Sequence, residues 1–346
     1  PFWGQHFYFP SQEHPHAQAT TESLENAREQ LSFLAGCEPF ELVFTSGGTE
    51  SNNLAILGST LNEARGHILC TPVEQEDVAS TLKQLATQGW EVEEVLCDSS
   101  GRVSPDIFES RLRDETRLAC VQLANSILGS IQPLTEIADA CHKRGVHLHC
   151  DATQAFGKIP VDAEQLGVDT LSISGHKFYG PKGTGALYIR RGLSISPITF
   201  GEPREMGLRP GSENVPGYIG LGAAAGLAAR CISDVEATFL ELHDRFLKGL
   251  ESSLTEPPLF IATGAVGLPN TICVELPAKA KDVQQLARNL VVATARSATP
   301  PDEFTRILRA IGRSDSQIAR TVGISMGWTT SRDQVDQAVE LLAEAC

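Results

Sequence analysis

The stretch Leu171-Ser-Ile-Ser174-Gly175-His176-Lys177-Phe178-Tyr179-Gly180-Pro181-Lys182-Gly183 opens as an apolar, strand-like run and breaks into a polar, glycine-rich turn. The turn presents Ser174, His176 and Lys177 together. A lysine amine forms Schiff bases with carbonyl compounds when its site favours the neutral form. A solvated loop lysine, the fate of most lysines, has the same sequence signature taken alone. What lies upstream bears on the choice.

Strand-like runs at 41–45, 67–71, 91–96, 117–123, 146–150 and 169–173 precede the turn, and another follows at 185–189. Helical patterns alternate with them: 21–35, a stretch from Thr49 to about Arg65, 76–88 and 133–144. Such alternation predicts an α/β fold with a mainly parallel, covered sheet. Ligands of these sheets gather at the carboxyl ends of the strands.

Two further motifs sit at such ends. Ser46-Gly47-Gly48-Thr49 follows a strand and opens a helix, where glycines admit a close ligand and the helix start offers unpaired N–H groups. That is a phosphate cradle, but an ordinary glycine-rich turn reads identically. In His149-Cys150-Asp151-Ala152-Thr153-Gln154 the carboxylate comes directly off a strand. It can hold a pyridine nitrogen protonated, or it can cap a helix. Alone, the capping reading would prevail. The order of the three motifs, phosphate turn then aspartate then lysine, is far more specific than any one of them.

After about residue 233 the pattern changes to a long amphipathic helix, roughly Asp234 to Leu254, then shorter elements and a final helix from about Arg332 to Ala345. The division expected is a large domain over 1–233 and a small α+β domain over 234–346. The 346 residues carry a net charge of −15 and are 41% hydrophobic, enough for a sizeable core and too acidic for a uniform nucleic-acid groove. No two of the nine cysteines have CxxC spacing, and several stand in apolar runs, so reduced buried thiols are expected rather than a metal or redox site. His147 and His149 share a strand face without an evident third ligand, which reads as a core or surface pair. The apolar run 219–229 is too short to span a bilayer, and no signal peptide is visible, so a cytoplasmic protein with no membrane partner is expected. The chain opens on Pro1 rather than methionine, which suggests an upstream segment or processing.

With these residues in view, the chain resembles the class V aminotransferase group, and within it the cysteine desulfurases and selenocysteine lyases. The resemblance rests on Phe44-Thr-Ser-Gly-Gly-Thr-Glu-Ser-Asn-Asn-Leu54, Asp151-Ala-Thr-Gln154, the Ser174–Gly183 run, Leu208-Arg-Pro-Gly-Ser-Glu-Asn-Val215 and Leu268-Pro-Asn-Thr271. It implies the aspartate aminotransferase-like fold (fold type I) of pyridoxal 5'-phosphate enzymes and a small amino-acid substrate. Lys177 would bond the cofactor. Asp151 would pair with the pyridine nitrogen, and Gln154 with the phenolic oxygen. Gly48, Thr49, Ser174 and His176 would bind the phosphate. Ser212 stands where the family has a threonine that reaches the neighbouring subunit's phosphate, which implies a homodimer.

The departures from the family are selective. Gln75 stands where a histidine stacks on the cofactor ring and moves protons, and glutamine cannot act as acid or base. Ser126 replaces an asparagine that contacts cofactor and substrate. Thr299 stands where a loop cysteine carries the persulfide, and Pro300-Pro301 stiffens that loop. Gly323 replaces the arginine that binds the substrate's α-carboxylate. The upstream segment that normally carries an Asn-Ala-Thr-Thr type motif is not among these 346 residues, through truncation or divergence. Three functions follow. One is a desulfurase-like enzyme acting on cysteine, selenocysteine or a related amino acid without the loop-cysteine route. Another is a class V enzyme with a different substrate, of C–S lyase or aminotransferase type. The last is a non-catalytic dimeric homologue that binds cofactor or a partner.

Overall fold

The computed structural model describes residues 2–5, 7–10, 12–263, 266–277, 292–296 and 301–346. Its centre is a seven-stranded sheet with the order β1-β7-β6-β5-β4-β2-β3. The strands are β1 (Leu42–Thr45), β2 (His67–Cys70), β3 (Glu91–Glu94), β4 (Thr116–Cys120), β5 (His147–Asp151), β6 (Thr170–Ser174) and β7 (Gly185–Ile189). Only β7 runs against its neighbours, because the Ser174–Gly183 run folds back as a hairpin that pairs Ser174 with Gly185. The sheet is therefore mainly parallel, as the alternating pattern predicts.

Helices cover both faces, as a parallel sheet requires. The helices α1 (Pro15–Ala35), α2 (Gly48–Thr60), α3 (Glu76–Thr87), α4 (Pro105–Arg111), α5 (Leu134–Lys143) and α6 (Ala163–Leu166) come from the first half of the chain. One face buries Leu31, Phe44, Phe108, Leu148, Phe156 and Tyr188 in a single cluster. The other buries Ile56, Ile68, Val78, Leu82, Trp90 and Leu118.

The next helix, α7, corrects the sequence reading. It runs unbroken from Val215 to Ser253, 39 residues, rather than starting near Asp234. Its first half is rich in glycine and alanine and so lacks an amphipathic stripe, which hides it from a periodicity argument. The small residues serve close packing on α1: a Cβ on Gly222 would fall 2.4 Å from Ala27 Cα. By length and apolar composition α7 could cross a bilayer, yet its apolar residues feed two cores. Leu221, Ala225 and Ala228 join the main cluster, while Phe239, Leu242, Phe246 and Leu250 join a second one.

That second cluster lies on a three-stranded antiparallel sheet, β10-β9-β8, made of β8 (Leu259–Ile261), β9 (Thr271–Glu275) and β10 (Thr321–Ser325). The final helix, Arg332–Glu344, packs on α7 and supplies Val335, Val339 and Leu342. The large and small layers also meet through Tyr179, whose backbone is left-handed at φ 68°. Its hydroxyl accepts a 2.6 Å hydrogen bond from the Trp328 N–H, and the two rings lie 4.6 Å apart.

Candidate active site

The carboxyl ends of β1, β2, β5 and β6 open on one side of the sheet, and a cleft of about 550 Å³ lies there. Its walls are the Ser46–Glu50 turn after β1, Gln75 and Asp77 at the start of α3, Thr153 after β5, and Ser174, His176, Lys177 and Lys182 after β6. The three sequence motifs thus converge, although more than one hundred residues separate Gly48 from Lys177.

Helix α2 begins at Gly48, so its free N–H groups and positive dipole end face the cleft. Gly48 has a packing reason too: a Cβ there would lie 2.7 Å from Thr153 Cγ2. Opposite, Ser174 Oγ and His176 Nδ1 are 3.2 Å apart. Burial first, then the charges of Lys177 and Lys182, holds the His176 imidazole below its ordinary value, so it stays neutral near pH 7. N–H groups, a hydroxyl, an imidazole and two lysines suit a phosphate dianion.

Asp151 is buried behind Thr153. Its Oδ1 accepts from the Thr153 N–H at 2.9 Å and its Oδ2 from the Asn52 amide at 2.8 Å. The first of these bonds closes a local turn; no helix begins at Asp151, so the helix-capping reading does not apply. Burial, and then the nearby charge of Asp77, pushes the carboxyl up to about 6, against the hydrogen bonds from Thr153 and Asn52. At neutral pH it is therefore ionised, and each oxygen keeps a lone pair for a further donor. A buried carboxylate behind Thr153 and an anion cradle that shares its cleft with Lys177 fit the two polar ends of pyridoxal phosphate.

Gln75 caps the start of α3 and donates 2.7 Å to Thr153 Oγ1. Gln154 is buried, and its Oε1 accepts from Lys158 Nζ at 3.3 Å, which leaves the amide N–H groups free to turn elsewhere. Burial, then the charge of Lys177, lowers the Lys158 amine to about 8. Ser126 lies outside the cleft wall and bonds Glu303 Oε1 at 3.4 Å. Ser212 is exposed and does not line its own chain's cleft. Its segment is tied to the rim by Arg209, whose Nε sits 3.2 Å from Glu50 Oε1.

The position of Gly323 is filled by apolar groups. A Cβ there would lie 3.3 Å from both Ala293 Cβ and a Phe304 ring carbon, so among the described residues the atoms nearest that position are apolar. Thr299 lies outside the described residues.

Sequence reasoning overlooked Asn52, Asp77, Thr153, Lys158 and the buried acid Glu74. Glu74 precedes Gln75, and its Oε1 accepts from Thr71 Oγ1 at 2.6 Å and the Gln122 N–H at 3.0 Å. Burial pushes it up to about 8. Glu74, Asn52 and Asp77 stand in polar runs, so their own segments do not single them out. Their partners are distant in sequence, and nothing local names them.

Comparison with known proteins agrees with this geometry. Residues 8–290 match the family model described as aminotransferase class-V. Cysteine desulfurase IscS of Methanosarcina thermophila is 34% identical over 99% of this chain and 86% of its own length. Cysteine desulfurase IscS 1 of Archaeoglobus fulgidus is 35% identical, with 99% and 90% covered. A solved NifS-like protein superposes with a TM-score of 0.90 at 31% identity, covering 99% of this chain and 92% of that one. Fold, cleft and sequence all lead to one conclusion: the chain belongs to the pyridoxal-phosphate-dependent aminotransferase class-V family, alongside the cysteine desulfurases.

Proposed function

We propose that the protein acts on cysteine, selenocysteine or a related small amino acid, breaking the bond from Cβ to sulfur or selenium by β-elimination. No cysteine of its own relays the sulfur. The observation that carries this reading is the convergence of Lys177, Ser174, His176 and the α2 start on one cleft backed by Asp151.

In this reading Gly48, Thr49, Ser174 and His176 hold the phosphate, Lys177 bonds the cofactor's carbonyl carbon, Asp151 faces the ring nitrogen and Gln154 the phenolic oxygen. Gln75 lies against the ring, Ser126 borders the substrate, and Ser212 reaches the phosphate of a second copy in a cytoplasmic homodimer. Residues 1–233 form the cofactor unit and 234–346 the smaller unit, with α7 shared between them. The bound cofactor supplies an electron sink for the charge left on the substrate's α-carbon. Once the substrate's amine had displaced it from the cofactor's carbon, Lys177 Nζ would be free to take the α-proton, and the sulfur would leave with the electron pair of the Cβ–S bond. The balance is cysteine plus water to pyruvate, ammonia and hydrogen sulfide, with no external oxidant or reductant. Gln75 orients but moves no proton.

Six of the nine thiols are unsuited to a persulfide step. A sulfur-accepting cysteine needs an accessible thiol with a lowered pKa. Burial instead pushes Cys97 up to about 11 and Cys141 and Cys273 up to about 12, and holds Cys70, Cys120 and Cys150 well above the ordinary thiol value. By the family resemblance, Thr299 occupies the sequence position of the persulfide-carrying cysteine.

The apolar filling around Gly323 favours a second reading, a substrate without an α-carboxylate. One experiment separates the readings. The purified protein should be yellow, and borohydride should fix the cofactor to Lys177 in a tryptic peptide. With L-cysteine or L-selenocysteine the products should include pyruvate. Alanine with sulfane sulfur would overturn the elimination reading. A spectral response to simple amines but not to amino acids would favour the second reading, and no response to either would mean a non-catalytic homologue.

A further inference from the structure

Period-two alternation along β5 puts His147, His149 and Asp151 on the same face, beneath α2. His149 lies beside Thr170 in the neighbouring strand β6. The side chains of Asn52, His149 and Thr170 are at most 1% exposed. Their hydrogen bonds form one chain. Asn52 Nδ2 lies 2.8 Å from Asp151 Oδ2 and 3.1 Å from Asp77 Oδ2. His149 Nε2 is 2.9 Å from Asn52 Oδ1, and His149 Nδ1 is 2.9 Å from Thr170 Oγ1. Thr170 Oγ1 is also 3.0 Å from His147 Nε2.

Donor and acceptor rules leave this chain one direction. Two carboxylates accept only, so the Asn52 NH₂ must face them and its carbonyl must face His149. His149 therefore carries its proton on Nε2, and Nδ1 accepts from the Thr170 hydroxyl. That hydroxyl has a single proton, so it accepts from His147 Nε2–H. Burial lowers His147 to about 4 and His149 to about 3, so both rings are neutral, as the chain requires.

We propose that Thr170, His149 and Asn52 are positioning residues whose one-way hydrogen-bond chain fixes the Asp151 carboxylate, ionised and aimed, for the cofactor's ring nitrogen. Without it, a rotated Asn52 would turn its own carbonyl oxygen toward two carboxylates. The amide also bridges Asp77 and Asp151, which screens their repulsion. The proposal rests on the cofactor roles given above. It adds three residues that touch neither cofactor nor substrate.

The test uses holoprotein loaded with ¹⁵N-pyridoxal phosphate, whose pyridine ¹⁵N shift distinguishes the protonated ring from the free one. Wild type should show the protonated signal. His149→Leu and Thr170→Val should move it toward the unprotonated position and weaken cofactor binding by about tenfold, the scale of one lost hydrogen bond to a charged group. His149→Gln keeps a donor toward Asn52 and should restore both. Thr170→Val is nearly isosteric and keeps the test decisive if His149→Leu fails to fold. A wild-type ring signal in folded His149→Leu or Thr170→Val would overturn the proposal. Imidazole ¹⁵N spectra give a readout independent of the cofactor. His149 protonated on Nδ1 overturns the chain, and protonation on Nε2 supports it even if the cofactor roles prove wrong.

Discussion

Glu205 offers a demanding test of how the segment carrying Ser212 is held. Its backbone is left-handed at φ 43°, followed by Met206 at 57° and Gly207 at 81°. Non-glycine residues in that region cost about 1–3 kcal/mol each and persist only where their surroundings over-determine them. Here the Glu205 carboxylate is the determinant. Arg28 Nη1 and Nη2 donate to it at 3.0 and 2.9 Å, and the Phe44 N–H donates at 2.8 Å. Arg28 also lies 4.4 Å over the Phe44 ring, and the two charged side chains are only 12% and 8% exposed. Removing one partner of a buried pair costs about 3–5 kcal/mol. The lower end applies, because Arg28 keeps the Leu42 carbonyl at 2.7 Å and Glu25 at 3.4 Å. The orphaned Phe44 N–H adds about 1 kcal/mol. Glu205→Ala should therefore lose about 4 kcal/mol in urea unfolding of the cofactor-loaded protein. Replacing both partners by apolar side chains, Arg28→Met with Glu205→Leu, should lose less than Glu205→Ala alone, since no buried charge is stranded. A loss below about 1 kcal/mol for Glu205→Ala, or a larger loss for the pair, would refute the assignment of the carboxylate as the latch.

Two further perturbations probe the cleft. Gly48→Ala drives a Cβ to 2.7 Å from Thr153 Cγ2, so it should weaken pyridoxal phosphate binding by about tenfold or more, read by titrating the cofactor's absorbance; unchanged affinity would mean that α2 can retreat freely. Glu74→Gln probes pH dependence. The folded protein holds the Glu74 proton up to about pH 8, well above the value of an unfolded glutamate. The native state therefore binds the extra proton through that window, and its stability falls as pH rises from about 5 to 8. Glu74→Gln should flatten this slope and gain on wild type toward pH 8, measured by urea midpoints; parallel profiles would contradict the assignment.

Much of the site was legible because its chemistry is concentrated in turns. Gly48, Asp151 and Lys177 each follow a strand, and parallel sheets bring such points to one edge whatever the loop lengths. The hairpin that reverses β7 is also local, since Gly180 and Gly183 sit inside it. Less legible were residues whose partners come from elsewhere. His149 reads as a core histidine, and it is one. Its role depends on Asn52, nearly a hundred residues earlier in the chain. The first half of α7 escaped because close helix packing replaced its amphipathic stripe with glycine and alanine.

By itself, the sequence determined the class of fold, because alternating periodicity is a local pattern, and its resemblance to the class V aminotransferases implied the cofactor and the residues proposed to hold it. Tertiary structure alone decided how those residues are held. It joined Arg28 to Glu205, filled the place beside Gly323 with Phe304, and set Asn52 between His149 and Asp151. Hydrogen-bond direction and burial are properties of the packed neighbourhood, and no stretch of chain carries them alone.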